Sequence, residues 1–161
     1  MRVVRFIWLL LPLTLVGIDF STKTAIALII PLQEVKPVIP GFFNLTMSYN
    51  YGAIFGTISG APAFLRAIIF GLASVIILAY FGWEFLRVEL STMHRIALGF
   101  VLGGAIGNSI DRLLYGFVID FLDFVFFGWH YWTFNLADSF ILIGIVLLLV
   151  VSVTAKRPLT D

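Results

Sequence analysis

Four apolar runs divide the chain, roughly 6–30, 64–85, 96–115 and 136–153. Each approaches the ~20 residues that carry a helix across a hydrocarbon core about 30 Å thick. Between the first two runs the period changes. From Phe43 to Asn50 the apolar Phe43, Leu45, Met47 and Tyr49 alternate with Asn44, Thr46, Ser48 and Asn50. A period of two predicts a strand with one apolar and one polar face, so a small sheet is expected on the membrane surface. The second connection, from Gly116 to Trp132, is crowded with aromatics: Phe117, Phe121, Phe124, Phe126, Phe127, Trp129, Tyr131 and Trp132. Such crowding is expected of side chains at headgroup level. No internal repeat or composition break suggests a second unit, and 1–161 is expected to be a single integral membrane domain.

Composition agrees with lipid as the solvent. Hydrophobic residues make up 61% and charged residues 12%, against about 45–50% and about 25% in ordinary globular domains. The mean hydropathy is +1.08. This excludes a water-soluble monomer, because a core of this size cannot hide so much apolar surface. The net charge of +1 provides no basic stripe for nucleic acid. With no cysteine, disulfides, Cys-ligated metals and thiol nucleophiles are excluded too.

The first run follows Arg2 and Arg5 like a signal peptide. It is too long for one, lacks a small-x-small cleavage site and is expected to stay as the first helix. Basic residues then set the orientation. Arg2, Arg5, Arg87, Arg95, Lys156 and Arg157 fall on one side. Both termini are expected to be cytoplasmic, with 31–63 and 116–135 outside.

Ionisable groups within or at the ends of spans are costly and therefore candidate sites. Asp19 and Lys23 lie four apart on one helix face, as a structural ion pair or as the floor of an outward-facing site. Gly99, Gly103, Gly104 and Gly107 form a small-residue surface suited to close helix packing. Asn108 faces Asp111 and Arg112 at helical spacing, which predicts a polar cluster that braces the fold or contacts substrate. Asp120 and Asp138 both belong at the outer interface. Brought together, two carboxyls could share a proton and activate water; apart, they are ordinary interfacial acids. Asp138 would sit in the first turn of the last helix with Asn135 as its cap. Spacing alone leaves Asp123 as a competitor.

Other chemistries find little support. There is no His-Glu-x-x-His, and His94 and His130 fall on opposite sides of the membrane, as interfacial residues. Gly107-Asn108-Ser109 is followed by Ile110 where a serine nucleophile motif would carry glycine. A proton-coupled transporter and a noncatalytic assembly subunit remain as alternatives, although the polar groups gather at one interface and no inverted repeat is visible.

The ordered blocks Asp19-x-x-x-Lys23, Tyr49-Asn50-x-Gly52-Ala53-x-Phe55, Gly103-Gly104-Ala105-x-Gly107-Asn108-x-x-Asp111-Arg112-x-x-x-Gly116-x-Val118-x-Asp120-Phe121 and Phe134-Asn135-x-Ala137-Asp138 cover most of the chain. In this order they resemble lipoprotein signal peptidase, or signal peptidase II. The resemblance implies a membrane α-helical protein with four transmembrane helices and a small periplasmic β-sheet cradle. It implies an aspartic endopeptidase of the bacterial inner membrane that needs no cofactor or metal. That enzyme would remove the signal peptide from diacylglyceryl-modified prolipoproteins, cutting just before the lipidated cysteine. Asp120 and Asp138 would be the catalytic dyad. Asn50 and Arg112 would hold the substrate backbone, Asn108 and Asn135 would support the dyad, and Asp19, Lys23, Gly52 and Asp111 would lie around the site. A monomer in contact with membrane lipid and open to globomycin-type inhibitors is expected. Ile54 and Gly56 depart from the alanine and serine frequent in the second block, which bears on loop fit and inhibitor sensitivity.

Overall fold

The computed structural model describes residues 7–52, 62–87 and 90–155. Ile54 and Gly56, like the basic residues at both termini, lie outside the described residues. The elements follow the order α1 (Leu10–Ile29), β1 (Val35–Ile39), β2 (Phe43–Asn50), α2 (Ala63–Phe85), α3 (Thr92–Tyr115), β3 (Val118–Phe126), β4 (Trp129–His130) and α4 (Leu136–Ala155). Within them, Leu10–Ile29, Ile68–Phe85, Thr92–Tyr115 and Leu136–Thr154 are long and apolar enough to cross a membrane. All four expected spans are present.

The third helix starts at Thr92, four residues ahead of the apolar run, because the Ser91 side chain caps it by accepting from the His94 N–H at 3.2 Å. It stops at Gly116, whose φ of +78° suits a glycine and whose N–H returns to the Arg112 carbonyl. Between these signals α3 packs against α1, α2 and α4, and is the hub of the bundle. Its glycines explain the role. A Cβ on Gly99 or Gly103 would lie 2.7 Å from Leu11 or Leu15 of α1. On Gly104 it would collide with the Ala137 carbonyl of α4. The small-residue surface is thus a packing surface on two sides. Where α2 and α4 flank α3, Phe85, Leu98 and Leu102 form a buried cluster with Leu78, Phe81 and Leu148. Among the described elements the backbone of α2 lies close to that of α3 alone.

The four strands form one antiparallel sheet in the order β1-β2-β3-β4. The sheet sits where α1 and α3 end and α4 begins, which brings both long connections to one end of the bundle. The alternating segment is β2, as its period predicts. The aromatic segment is not only a run of interfacial side chains: Val118–Phe126 is β3, paired with β2. Its pattern hides this because Val118, Ile119, Phe121 and Val125 are all buried, removing the usual alternation. An irregularity in β2 between Leu45 and Ser48 pairs Asn44 with Asp123 and Ser48 with Asp120. That extra β2 residue lets acids three apart on β3, on opposite strand faces, each meet a polar β2 partner.

Candidate active site

Asp120 is carried by β3 and Asp138 by the first turn of α4. The Asn135 carboxamide accepts the Asp138 N–H at 2.9 Å, and Asp138 Oδ2 accepts the Asn135 N–H at 3.3 Å. This reciprocal cap fixes the start of α4 and holds the Asp138 carboxylate beside Asn135. Asn135 Nδ2 also donates to Asp120 Oδ1 at 2.7 Å and to Asn108 Oδ1 at 3.1 Å. Asn108 Nδ2 donates to Asp138 Oδ1 at 2.7 Å, and Asn50 Nδ2 to Asp120 Oδ2 at 2.9 Å. The two acids therefore belong to one network, bridged by two carboxamides.

The acids differ in environment. Asp120 is only 1% exposed. Burial, reinforced by the neighbouring Asp138 charge, pushes its carboxyl up to about 7 despite the amides of Asn50 and Asn135 and the charge of Lys23. Asp138 is half-buried and lines a cavity of about 600 Å³ with Tyr131, Trp132 and Phe134.

Below the pair lies a dry ionic cluster. Lys23 Nζ sits 2.7 Å from Asp19 Oδ2, 2.9 Å from Asp111 Oδ2 and 3.1 Å from Asn108 Oδ1. All three charged side chains are 1–2% exposed. The carboxylates also hold main chain: Asp19 Oδ1 accepts the Ala137 N–H at 2.9 Å, and Asp111 Oδ2 the Ile119 N–H at 3.1 Å. Each of these amides immediately precedes one of the two acids. The helical spacing that grouped Asn108 with Asp111 and Arg112 is realised differently, because tertiary partners win. Asn108 turns its side chain to Lys23, Asn135 and Asp138, and only its carbonyl meets Arg112 Nη1, at 3.4 Å.

Arg112 instead points into a cavity of about 730 Å³ between α2 and α3, its guanidinium 5.5 Å from the Phe70 ring centre. Gly52 lies close by with a φ of +87°, its N–H bonded to Asn50 Oδ1 at 2.8 Å. The positive φ favours glycine, and a Cβ there would also push the Phe70 ring aside. The Asn50 carboxamide is thereby oriented with its nitrogen toward Asp120. Asp123 is turned elsewhere, to Asn44 Nδ2 at 2.8 Å and His130 Nδ1 at 2.9 Å. Among the described residues no three of His, Asp and Glu converge to hold a metal ion.

Sequence reasoning missed Phe70, the Asn44–Asp123–His130 cluster and the main-chain donors Ala137 and Ile119. Main-chain donors carry no residue signature. His130 could have been suspected only from its place beside a strand acid.

Fold and site together define a multi-pass helical membrane protein with an acidic, amide-bridged centre between its bundle and a small sheet. The family model for signal peptidase (SPase) II matches residues 11–154, and the chain belongs to that family. It is thus a peptidase by family. It is 42% identical over 143 residues to the lipoprotein signal peptidase of Ralstonia nicotianae, covering 89% of this chain and 82% of the relative. It is 39% identical over 137 residues to that of Serratia proteamaculans, covering 85% and 80%. A bacterial membrane enzyme solved by the in meso method at 2.3 Å resolution superposes with a TM-score of 0.81 at 31% identity, over 96% of this chain and 93% of the other.

Proposed function

We propose that this chain is an aspartic endopeptidase that removes the signal peptide from diacylglyceryl-modified prolipoproteins, cutting before the lipidated cysteine at the outer face of the bacterial inner membrane. Both termini then lie in the cytoplasm. The observation that carries the reading is the pair of acids joined through Asn135 and Asn108, one enclosed and one open to a cavity.

Asp120 holds the proton and Asp138 is the carboxylate. Asp138 takes a proton from water as the oxygen attacks the scissile carbonyl carbon, while Asp120 gives its proton to the carbonyl oxygen. Asp138 then passes its proton to the departing amide nitrogen as the C–N bond breaks. A hydroxyl proton of the intermediate returns to Asp120, which restores the pair. Arg112 and Asn50 offer donors to substrate carbonyls beside the pair, and globomycin-type inhibitors are expected to compete for the same place.

The direct test incubates the purified protein in lipid with a diacylglyceryl prolipoprotein and with its unlipidated form, and weighs the products. The expected result is a new fragment beginning at the lipidated cysteine, from the lipidated substrate only. No cleavage of that substrate would reject the reading and return attention to transport.

A pH dependence follows from the enclosed acid. Asp120 is raised from the ordinary carboxylate range to about 7, so its proton is present below that pH and lost above it. The cleavage kcat/KM is expected to fall about tenfold per pH unit above ~7. A profile flat to pH 9 would remove Asp120 as the proton donor.

A further inference from the structure

At the end of the bundle away from the sheet, a cavity of about 350 Å³ lies among α2, α3 and α4. Each helix gives it one polar residue: Glu84 from α2, His94 from α3 and Ser152 from α4. Each also gives it an apolar one, Phe81, Leu98 and Leu148, and these three belong to the cluster that joins the helices. On every helix the apolar residue stands three or four positions deeper into the bundle than the polar one, about one turn. The cavity is therefore polar at its mouth and apolar within. Glu84 is only 16% exposed and accepts from Arg87 Nη1 at 3.1 Å. Arg87 is exposed and lies 5.2 Å over the ring of Trp83. Trp83 and Tyr80 are exposed beside the mouth, as amphipathic aromatics are at headgroup level. None of these groups takes part in the network around Asp120 and Asp138.

We propose that this cavity binds a phosphoethanolamine phospholipid: its primary ammonium donates to Glu84, its phosphate accepts from Arg87 and His94, and its acyl chains begin against the apolar inner wall. The order from mouth to interior is that of a lipid from headgroup to tail. The charges select among headgroups. A carboxylate offers about four lone-pair sites, and Arg87 Nη1 meets each Glu84 oxygen once. The remaining sites suit the N–H groups of a primary ammonium. A choline headgroup carries the same charge but has no N–H to give them. A glycerol headgroup would bring its anion beside Glu84 with no ammonium to offset the repulsion. For the phosphate, the guanidinium keeps donors that Glu84 does not use, and a ring N–H of His94 adds another in either protonation state. His94 also stands in the first turn of α3, whose positive end favours an anion.

The experiment titrates lipid-depleted protein in detergent with dioleoyl phosphatidylethanolamine, phosphatidylcholine or phosphatidylglycerol and counts bound lipid by native mass spectrometry. Wild type is expected to bind the ethanolamine lipid about tenfold more tightly than the other two, the contribution of a hydrogen bond between charged groups. Glu84→Gln is expected to bring the ethanolamine and choline lipids level. Ser152→Trp, at an exposed position that leaves the charges in place, is expected to abolish the preference by filling the mouth, and it serves as the test should Glu84→Gln fail to fold. Equal binding of all three lipids by wild type would mean annular lipid only and would overturn the proposal. So would an ethanolamine preference that survives either variant, or a wild-type preference for the glycerol lipid, which would assign binding to the basic groups alone. Displacement of the lipid by an equal concentration of soluble glycerophosphoethanolamine would give the cavity to a free headgroup compound instead, and would overturn it too. Cleavage is not the readout, so the result is independent of the peptidase reading.

Discussion

Asp120→Asn and Asp138→Asn are each expected to lower prolipoprotein cleavage about a thousandfold or more, whereas Asp123→Asn stays near wild type. Acid–base groups contribute about 10²–10⁴ to rate, and in the proposed mechanism each carboxyl both gives and receives a proton. Asparagine preserves the shape and one of the two acceptor oxygens of each acid but sets an amide N–H against the donor that met the other, so each variant is compared by its melting temperature in detergent and the loss is read as chemistry in the folded protein. Asp123 tests whether position or mere acidity matters. It lies three residues from Asp120 on the same strand and is as dry, at 3% exposure. Its carboxylate is occupied by Asn44 and His130 rather than by the carboxamides that bridge Asp120 to Asp138. Near-wild-type cleavage by a folded Asp120 or Asp138 variant, or an Asp123 variant as inactive as the other two, would take the pair out of the mechanism. Release of the signal peptide in a single-turnover assay is the measurement.

The same three acids mark how far the sequence could be read. Four spans were legible because crossing hydrocarbon demands length and apolarity whatever the tertiary fold. Strand β2 was legible because its polar residues keep a period of two, and Asn50, Asn44 and Ser48 use that polarity to meet Asp120, Asp123 and Thr133. Strand β3 was not, because both of its faces are covered and its acids are an odd number of residues apart. For the site, spacing offered Asp120 and Asp138 only as two of several interfacial acids, and the ordered motifs singled them out by resemblance. Neither source could show how the groups are joined. The bridge through Asn135 and Asn108 connects residues 15 to 30 positions apart, and the clamps on Ala137 and Ile119 use main-chain groups common to every residue.

The second large effect is expected at Lys23, which touches neither acid of the pair. Its ammonium is 2% exposed and meets Asp19, Asp111 and Asn108, so its three donors have three acceptors. Lys23→Met would leave two carboxylates buried without a cation. Breaking a buried pair in this way costs about 3–5 kcal/mol, because the remaining charge has no solvent to replace its partner. The variant is expected to accumulate poorly and to melt far below wild type. Replacing the whole cluster should behave differently, since removing all the charges of a buried ion group is often close to neutral. In Lys23→Met with Asp19→Asn and Asp111→Asn, each new carboxamide oxygen can still accept the Ala137 or Ile119 N–H. The triple variant is therefore expected to regain most of the thermal stability. Cleavage should recover less, because Asn108 Oδ1 has lost the ammonium that, with Asn135 Nδ2, directs its own amide toward Asp138. Thermal melting and single-turnover cleavage on the same samples separate the two consequences. A Lys23→Met protein as stable as wild type would show that the carboxylates are neutralised by another route. A triple variant recovering stability and rate in parallel would show that the cluster supports the fold without orienting the acids.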